Sequence, residues 1–200
     1  MSTMAVNGSA SVNKTPNSIS PVALCHVVLR TTPEGYEKLV NFYITLLGAK
    51  ISHKSHRLAF LSYDYEHHRL AVIADSNSHK RGSEGPQVGL HHVAFGFDKL
   101  SDLAAVYEQR KAAGISPVWC VNHGMSTSMY YEDPDGNEIE FQVDNFDTVQ
   151  EAVDFMGSKD FEDNPVGVDF NADDFVKRVQ SGEDEKSIKA RPNIGKRDRK

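Results

Sequence analysis

Residues 24–29 (LCHVVL) and 90–95 (LHHVAF) read as one strand written twice, each with a histidine at its third position. His26 and His92 are therefore in register, 66 residues apart. Downstream, residues 133–141 (DPDGNEIEF) form a turn feeding a strand whose Glu140 can join the two histidines. Two imidazoles and one carboxylate on a β-scaffold make the donor set of a non-haem iron(II) site, which holds the metal on one face and leaves positions open. Glu138 shares a strand face with Glu140, so alternation alone does not choose between them. Position favours Glu140: it sits between Ile139 and Phe141, deeper than Glu138, and a buried carboxylate needs a partner such as a divalent cation. A three-ligand zinc site for hydrolysis is the competing chemistry at this level. His91 must project away from His92, and His53, His56 and His79 fit as ordinary polar positions.

The elements that would position these residues also come twice. A strand at 23–30 leads into Thr32 and Pro33, a cap-like residue and a proline suited to a first helical turn. The spacing of Tyr36, Leu39, Val40, Tyr43 and Leu47 predicts one helix face, and Gly48 stands where a left-handed residue ends a helix. Strands are expected at 49–55, 57–63 and 68–74, then a Gly/Ser/Asn/Pro-rich loop at 75–89. The second half repeats the order: strand 90–97, helix 99–113 stopped by Gly114 and Pro117, strands 118–122 and 126–132, and a last strand 138–143. The fold class is α+β: two βαβββ modules forming one open, metal-binding β-barrel with helices outside, since each curved sheet alone leaves a bare side. Its concave interior is the candidate site. Aligning the last strands of the halves sets Ala71 opposite Glu140, so the first half offers no fourth side-chain ligand there.

Two hundred residues allow one domain with appendages. The expected division is a disordered tail at 1–22, the paired domain at 23–145, a helical C-terminal extension at 146–185 and a basic disordered tail at 186–200. A net charge of -6 gives no general pull towards nucleic acid or anionic membrane. No apolar run approaches the roughly 20 residues that span a bilayer, and the Ser/Asn-rich start resembles neither a secretory nor a transit signal. A cytoplasmic protein acting on a small molecule is the expectation. Cys25 and Cys120 read as reduced core thiols rather than a disulfide framework.

The three quoted segments together resemble the vicinal oxygen chelate superfamily, which includes glyoxalases, bleomycin and fosfomycin resistance proteins and extradiol ring-cleaving dioxygenases. The resemblance covers about residues 24–143. Within it, the stretch HHRLA at 67–71, His123 and the YYEDP segment at 130–134 are similar to the extradiol branch. That resemblance implies an oxidoreductase that opens a catechol-type aromatic diol with O2. It implies that His26, His92 and Glu140 bind iron(II), with manganese(II) or another divalent metal as the alternative. His68 would face the oxygen position, and His123 and Tyr131 would bond the substrate oxygens. Many such enzymes carry a further metal-free duplicated domain for which this chain has no room, which leaves space for a homo-oligomer. A glyoxalase-like lyase or isomerase is the second reading, but it would ordinarily want a ligand where Ala71 stands; a metabolite-binding resistance protein is the third.

Overall fold

The computed structural model describes residues 19–80, 85 and 88–197. The first unit runs β1 (Val27–Thr31), α1 (Tyr36–Leu47), β2 (Lys50–Lys54), β3 (Leu58–Ser62) and β4 (Leu70–Ala74). The second runs β5 (His92–Gly96), α2 (Leu100–Ala112), β6 (Trp119–Asn122), β7 (Ser126–Glu132) and β8 (Glu138–Asp144). Each unit makes a mixed sheet with the same strand order, β1-β4-β3-β2 and β5-β8-β7-β6. In both, the helix carries the chain across so that the first strand lies parallel to the last, and the remaining pairs are antiparallel. The α+β class and the duplicated βαβββ units agree with the sequence expectation.

The helices form for local reasons and are held by burial. α1 buries Tyr36, Leu39, Val40, Tyr43 and Leu46, one face at helical spacing. Leu46, fully buried, takes the place expected of Leu47, which is only half-buried. Gly48 ends α1 at φ +61°, a left-handed conformation that a Cβ disfavours. α2 buries Leu100, Leu103, Ala104 and Tyr107.

Every second residue of the strands faces these helices. Leu29 on β1, Leu70 and Val72 on β4, Ile139, Phe141 and Val143 on β8 join both helix faces in one core. The two units are tied there by a hydrogen bond from the Tyr43 hydroxyl to Asp133 Oδ2 (2.8 Å) and one from Arg110 Nε to the Leu46 carbonyl (2.8 Å). A cavity of about 10 Å³ is lined by Val27, Leu29, Tyr43 and Leu70 of the first unit and Val93, Phe95 and Ile139 of the second. The helix-bearing sides of the sheets thus meet each other inside the chain.

After β8 come α3 (Val149–Met156), α4 (Lys159–Asp163), β9 (Val168–Asp169), α5 (Ala172–Gln180) and α6 (Glu185–Lys189). β9 is a strand the sequence did not announce; it adds to the second sheet beside β6. Its approach is made possible by Gly167, at φ +108°, where a Cβ would fall 2.3 Å from the Asn122 carbonyl oxygen. α5 lies on α2, burying Ala172, Phe175 and Val176. The basic end, expected to be disordered, is instead docked through residue 197: Ile188 is buried, Asn122 Nδ2 bonds the Lys189 carbonyl, and Arg197 holds both oxygens of Asp169 at 3.0 Å. Its cations find carbonyls and a carboxylate on β9 and the neighbouring loop, which composition alone does not reveal. The expectation for the N-terminal tail falls, for residues 1–18, outside the described residues. Cys25 is exposed rather than a core thiol, whereas Cys120 is partly buried and its thiol is pushed up to about 12, chiefly by desolvation. Among the described residues no helix is long and apolar enough to cross a membrane.

Candidate active site

On the second sheet, residues alternate between the core and the opposite face. The ladders pair Ala94 with Glu140, Glu140 with Tyr130, and Tyr130 with Trp119, so these four form one row across β5, β8, β7 and β6. His92 stands two residues from Ala94 on the same face. This face forms the floor of a cleft of about 980 Å³, walled by Phe161, Pro165, Val166 and Arg197 of the extension. No residue of the first sheet lines it.

Within the cleft, Glu140 is 4 % exposed and its Oε2 lies 3.0 Å from His92 Nε2. Glu138, the alternative on the same face, has a partly exposed side chain, 3.7 Å from His91. His123, in the β6–β7 turn, places Nε2 4.0 Å from Glu140 Oε1 and 3.0 Å from the Tyr130 hydroxyl. Its Nδ1 lies 2.5 Å from the Val166 carbonyl oxygen. A carbonyl only accepts, so Nδ1 carries the hydrogen and donates. In the neutral ring Nε2 is then the acceptor, and the Tyr130 hydroxyl donates to it. Trp119 stacks on Tyr130 (4.8 Å between centroids, 27°) and gives its indole N–H to Asp169. The result is a buried carboxylate with an adjacent imidazole, and beside them a histidine–tyrosine pair whose proton direction is fixed from behind.

Tyr131, the tyrosine singled out from sequence, is on the other face. It is fully buried, packs against Phe141 and directs its hydroxyl towards Met129 Sδ at 4.0 Å. Desolvation raises its phenol above the ordinary value. Tyr130 is the residue that reaches the cleft. The correction follows from strand alternation: neighbours on β7 must face opposite ways, and the hairpin centred on residues 133–137 sets Tyr130 opposite Glu140.

His26 and His68 lie elsewhere. His26 is exposed just before β1, with its ring 4.4 Å from that of His68. His68 in turn stacks on Phe60 (4.5 Å, 18°), and its Nδ1 is 2.5 Å from that of His67. Partial desolvation, and then the neighbouring His26 and His67, lower its pKa. These groups occupy the first sheet's own outer face, not the cleft.

A family model described as the Glyoxalase/Bleomycin resistance protein/Dioxygenase superfamily matches residues 24–141. The chain belongs to this superfamily. It is 42 % identical over 146 residues to biphenyl-2,3-diol 1,2-dioxygenase 2 of Rhodococcus globerulus, spanning 73 % of this chain and 75 % of that one. It is 36 % identical over 168 residues to biphenyl-2,3-diol 1,2-dioxygenase 3 of the same organism, spanning 84 % and 87 %. Among solved structures, a glyoxalase/dioxygenase from Nostoc punctiforme aligns with a TM-score of 0.53 at 16 % identity, covering 66 % of this chain and 99 % of that one, a likeness of fold. Kinship with the Rhodococcus relatives makes this superfamily member an enzyme of the extradiol ring-cleaving kind.

The superfamily's metal-dependent chemistry asks for a ligand set, and the donors can be tested against it. His92 Nε2 and Glu140, 3.0 Å apart, suit two positions on a divalent metal. The third expected ligand, His26, is not with them. Among the described residues of one chain, no group of three or more His, Cys, Asp or Glu side chains is arranged to hold a metal ion. The chain by itself therefore supplies two-thirds of the predicted set.

Proposed function

We propose that this protein is an iron(II)-dependent extradiol dioxygenase that opens the ring of a catechol-type diol next to its two hydroxyls, both atoms of O2 entering the product. The observation that carries the proposal is the single cleft in which Glu140 and His92 stand beside the His123–Tyr130 pair, in a chain 42 % identical to a biphenyl-2,3-diol dioxygenase. Each residue has a task that follows from its contacts. Tyr130 and His123 can bond a diol oxygen, and His123 Nε2, held as an acceptor by the Nδ1 bond to Val166, can take a hydroxyl proton. Trp119 and the apolar wall from Phe161 and Val166 suit an aromatic ring and keep water from it. His92 and Glu140 would be ligands of the metal. His26 and His68 stand together on the first sheet's outer face, apart from this cleft.

The test is oxygen uptake by anaerobically iron(II)-loaded protein against catechol, methylcatechols and biphenyl-2,3-diol, with the ring-opened product followed by its yellow colour. Uptake with colour supports the proposal, and manganese(II) loading in parallel decides the metal. No uptake by protein that holds metal would overturn it in favour of a lyase or isomerase.

A further inference from the structure

The acceptor role of His123 Nε2 depends on one backbone atom, the Val166 carbonyl oxygen that takes the Nδ1 hydrogen. A neutral imidazole can carry its hydrogen on either ring nitrogen, and the bond made by one nitrogen decides the role of the other. Val166 sits in the loop between α4 and β9. Asn164, itself buried, sets the shape of that loop: its side chain accepts from the Gly167 N–H (2.7 Å) and donates to the Gly167 carbonyl (3.0 Å). The loop must still be fixed relative to the turn that bears His123.

Arg191, just beyond α6, joins the two. Its Nη1 donates to the carbonyls of Asn164 (2.6 Å) and His123 (3.3 Å), and its Nη2 to that of Asp160 (2.8 Å). The guanidinium lies over the Phe155 ring, 5.0 Å from its centroid. Phe155 in turn closes on Gly124, the residue after His123, where φ is +97° and a Cβ would run into the ring. On the other side of the histidine, Asn122 Nδ2 bonds the Lys189 carbonyl and so anchors the strand of chain that delivers Arg191. All three acceptors of the guanidinium are neutral carbonyls, and desolvation holds its pKa below the ordinary value. Taking a cation out of water onto neutral partners costs free energy. What it returns is geometry, because a rigid planar fork fixes several acceptors at once where an ammonium acts as a point charge.

Resting on the dioxygenase reading of the cleft, we propose that Arg191 is a positioning residue for the proton transfer. By clamping the 164–167 loop to the β6–β7 turn, it keeps the Val166 carbonyl on His123 Nδ1 and thereby keeps Nε2 the atom that accepts a proton from a substrate hydroxyl. The C-terminal extension then serves the chemistry as well as walling the cleft.

The test reads the tautomer directly. Full-length protein carrying nitrogen-15 histidine is followed by long-range proton–nitrogen correlation at about pH 8, above the ordinary imidazole range, with the His123 signals identified by their loss in His123→Gln. The wild type is expected to show an upfield, protonated Nδ1 and a downfield Nε2. Arg191→Ala removes the fork and is expected to move a large share of His123 to the opposite tautomer; Arg191→Lys, which keeps the charge without the fork, should move a smaller share. After iron(II) loading, Arg191→Ala is expected to lower kcat about 10-fold with KM within about twofold of the wild type. Its iron content should be unchanged, since His92 and Glu140 are untouched. A wild-type ring protonated on Nε2, or wild-type His123 signals in folded Arg191→Ala, would overturn the proposal, as would an unchanged kcat beside a shifted tautomer. Should far-ultraviolet circular dichroism show Arg191→Ala to be unfolded, the Arg191→Lys signals decide in the same way. Loss of fold in both variants would count against the proposal, because Arg191 would then be holding the fold at large. A shifted tautomer in the variants of a protein that takes up no oxygen with any diol would support the clamp and sink the dioxygenase reading.

Discussion

Tyr130 and Tyr131 show how much one residue position decides. The two side chains differ by one step along β7, yet one donates to His123 in the cleft and the other is sealed in the core against Phe141. Under the proposed function, Tyr130→Phe is expected to lower kcat roughly 100-fold by removing the hydroxyl paired with His123 Nε2 and proposed to bond a diol oxygen. Tyr131→Phe is expected to leave kcat unchanged, because its hydroxyl meets only a weak sulfur acceptor among the described residues. Steady-state oxygen uptake by the two variants checks both statements. The information needed to choose was present in the sequence: a hairpin centred on Asp135 pairs residues equidistant from it, and that puts Tyr130, not Tyr131, opposite Glu140. His68 carries a second residue-scale expectation. Its folded pKa lies below the ordinary 6.5, so the unfolded chain takes up protons first as the pH falls. Its contribution to stability is present above the unfolded value and is lost as the pH drops from 6.5 through the folded value. Urea unfolding at pH 7.5 and 5.5 should show this loss, and His68→Asn should reduce it.

At the scale of elements, legibility follows length and period. α1 and α2 bury one face at helical spacing, and the strands of both units, four to seven residues long, are long enough to be read between their turns. Beyond Asp144 the elements shrink: α4 and α6 have five residues each and β9 two, too few for periodicity to register. What holds them is tertiary. Phe175 is buried where α5 lies on α2, and Phe175→Ala is expected to cost about 3–5 kcal/mol, measured by denaturant titration. The extension also builds a wall of the cleft, since Asp169 on β9 takes both the Trp119 indole N–H and the Arg197 guanidinium. Arg197→Ala frees that carboxylate and loosens the segment beside Trp119. A several-fold rise in KM with little change in kcat is the expected outcome, because binding surface is disturbed while His123 and Tyr130 keep their partners.

For the whole molecule, the duplication could be read from His26 and His92, but not which sheet faces meet within a chain. Val28 and Leu29 are both apolar, so strand alternation does not mark one side of β1 as core. Side-chain volume and the helix connections decide it, and they place Leu29 in the core and leave Val28 at the surface. One of the bonds that tie the units across this core is that of Tyr43 to Asp133, a carboxylate already engaged by the Asn137 side chain and by backbone N–H groups in its own turn. Tyr43→Phe keeps the ring packing and removes one hydrogen bond to a charged, buried acceptor, an effect of about 1.5–3 kcal/mol. Because the core is shared, that loss should move one cooperative unfolding transition as a unit, seen identically by far-ultraviolet circular dichroism and by Trp119 fluorescence. Trp119 reports on the second unit while Tyr43 belongs to α1 of the first. Two separated transitions in the variant would therefore mean that the units fold independently, and that the single core does not couple the half bearing His26 to the half bearing Glu140.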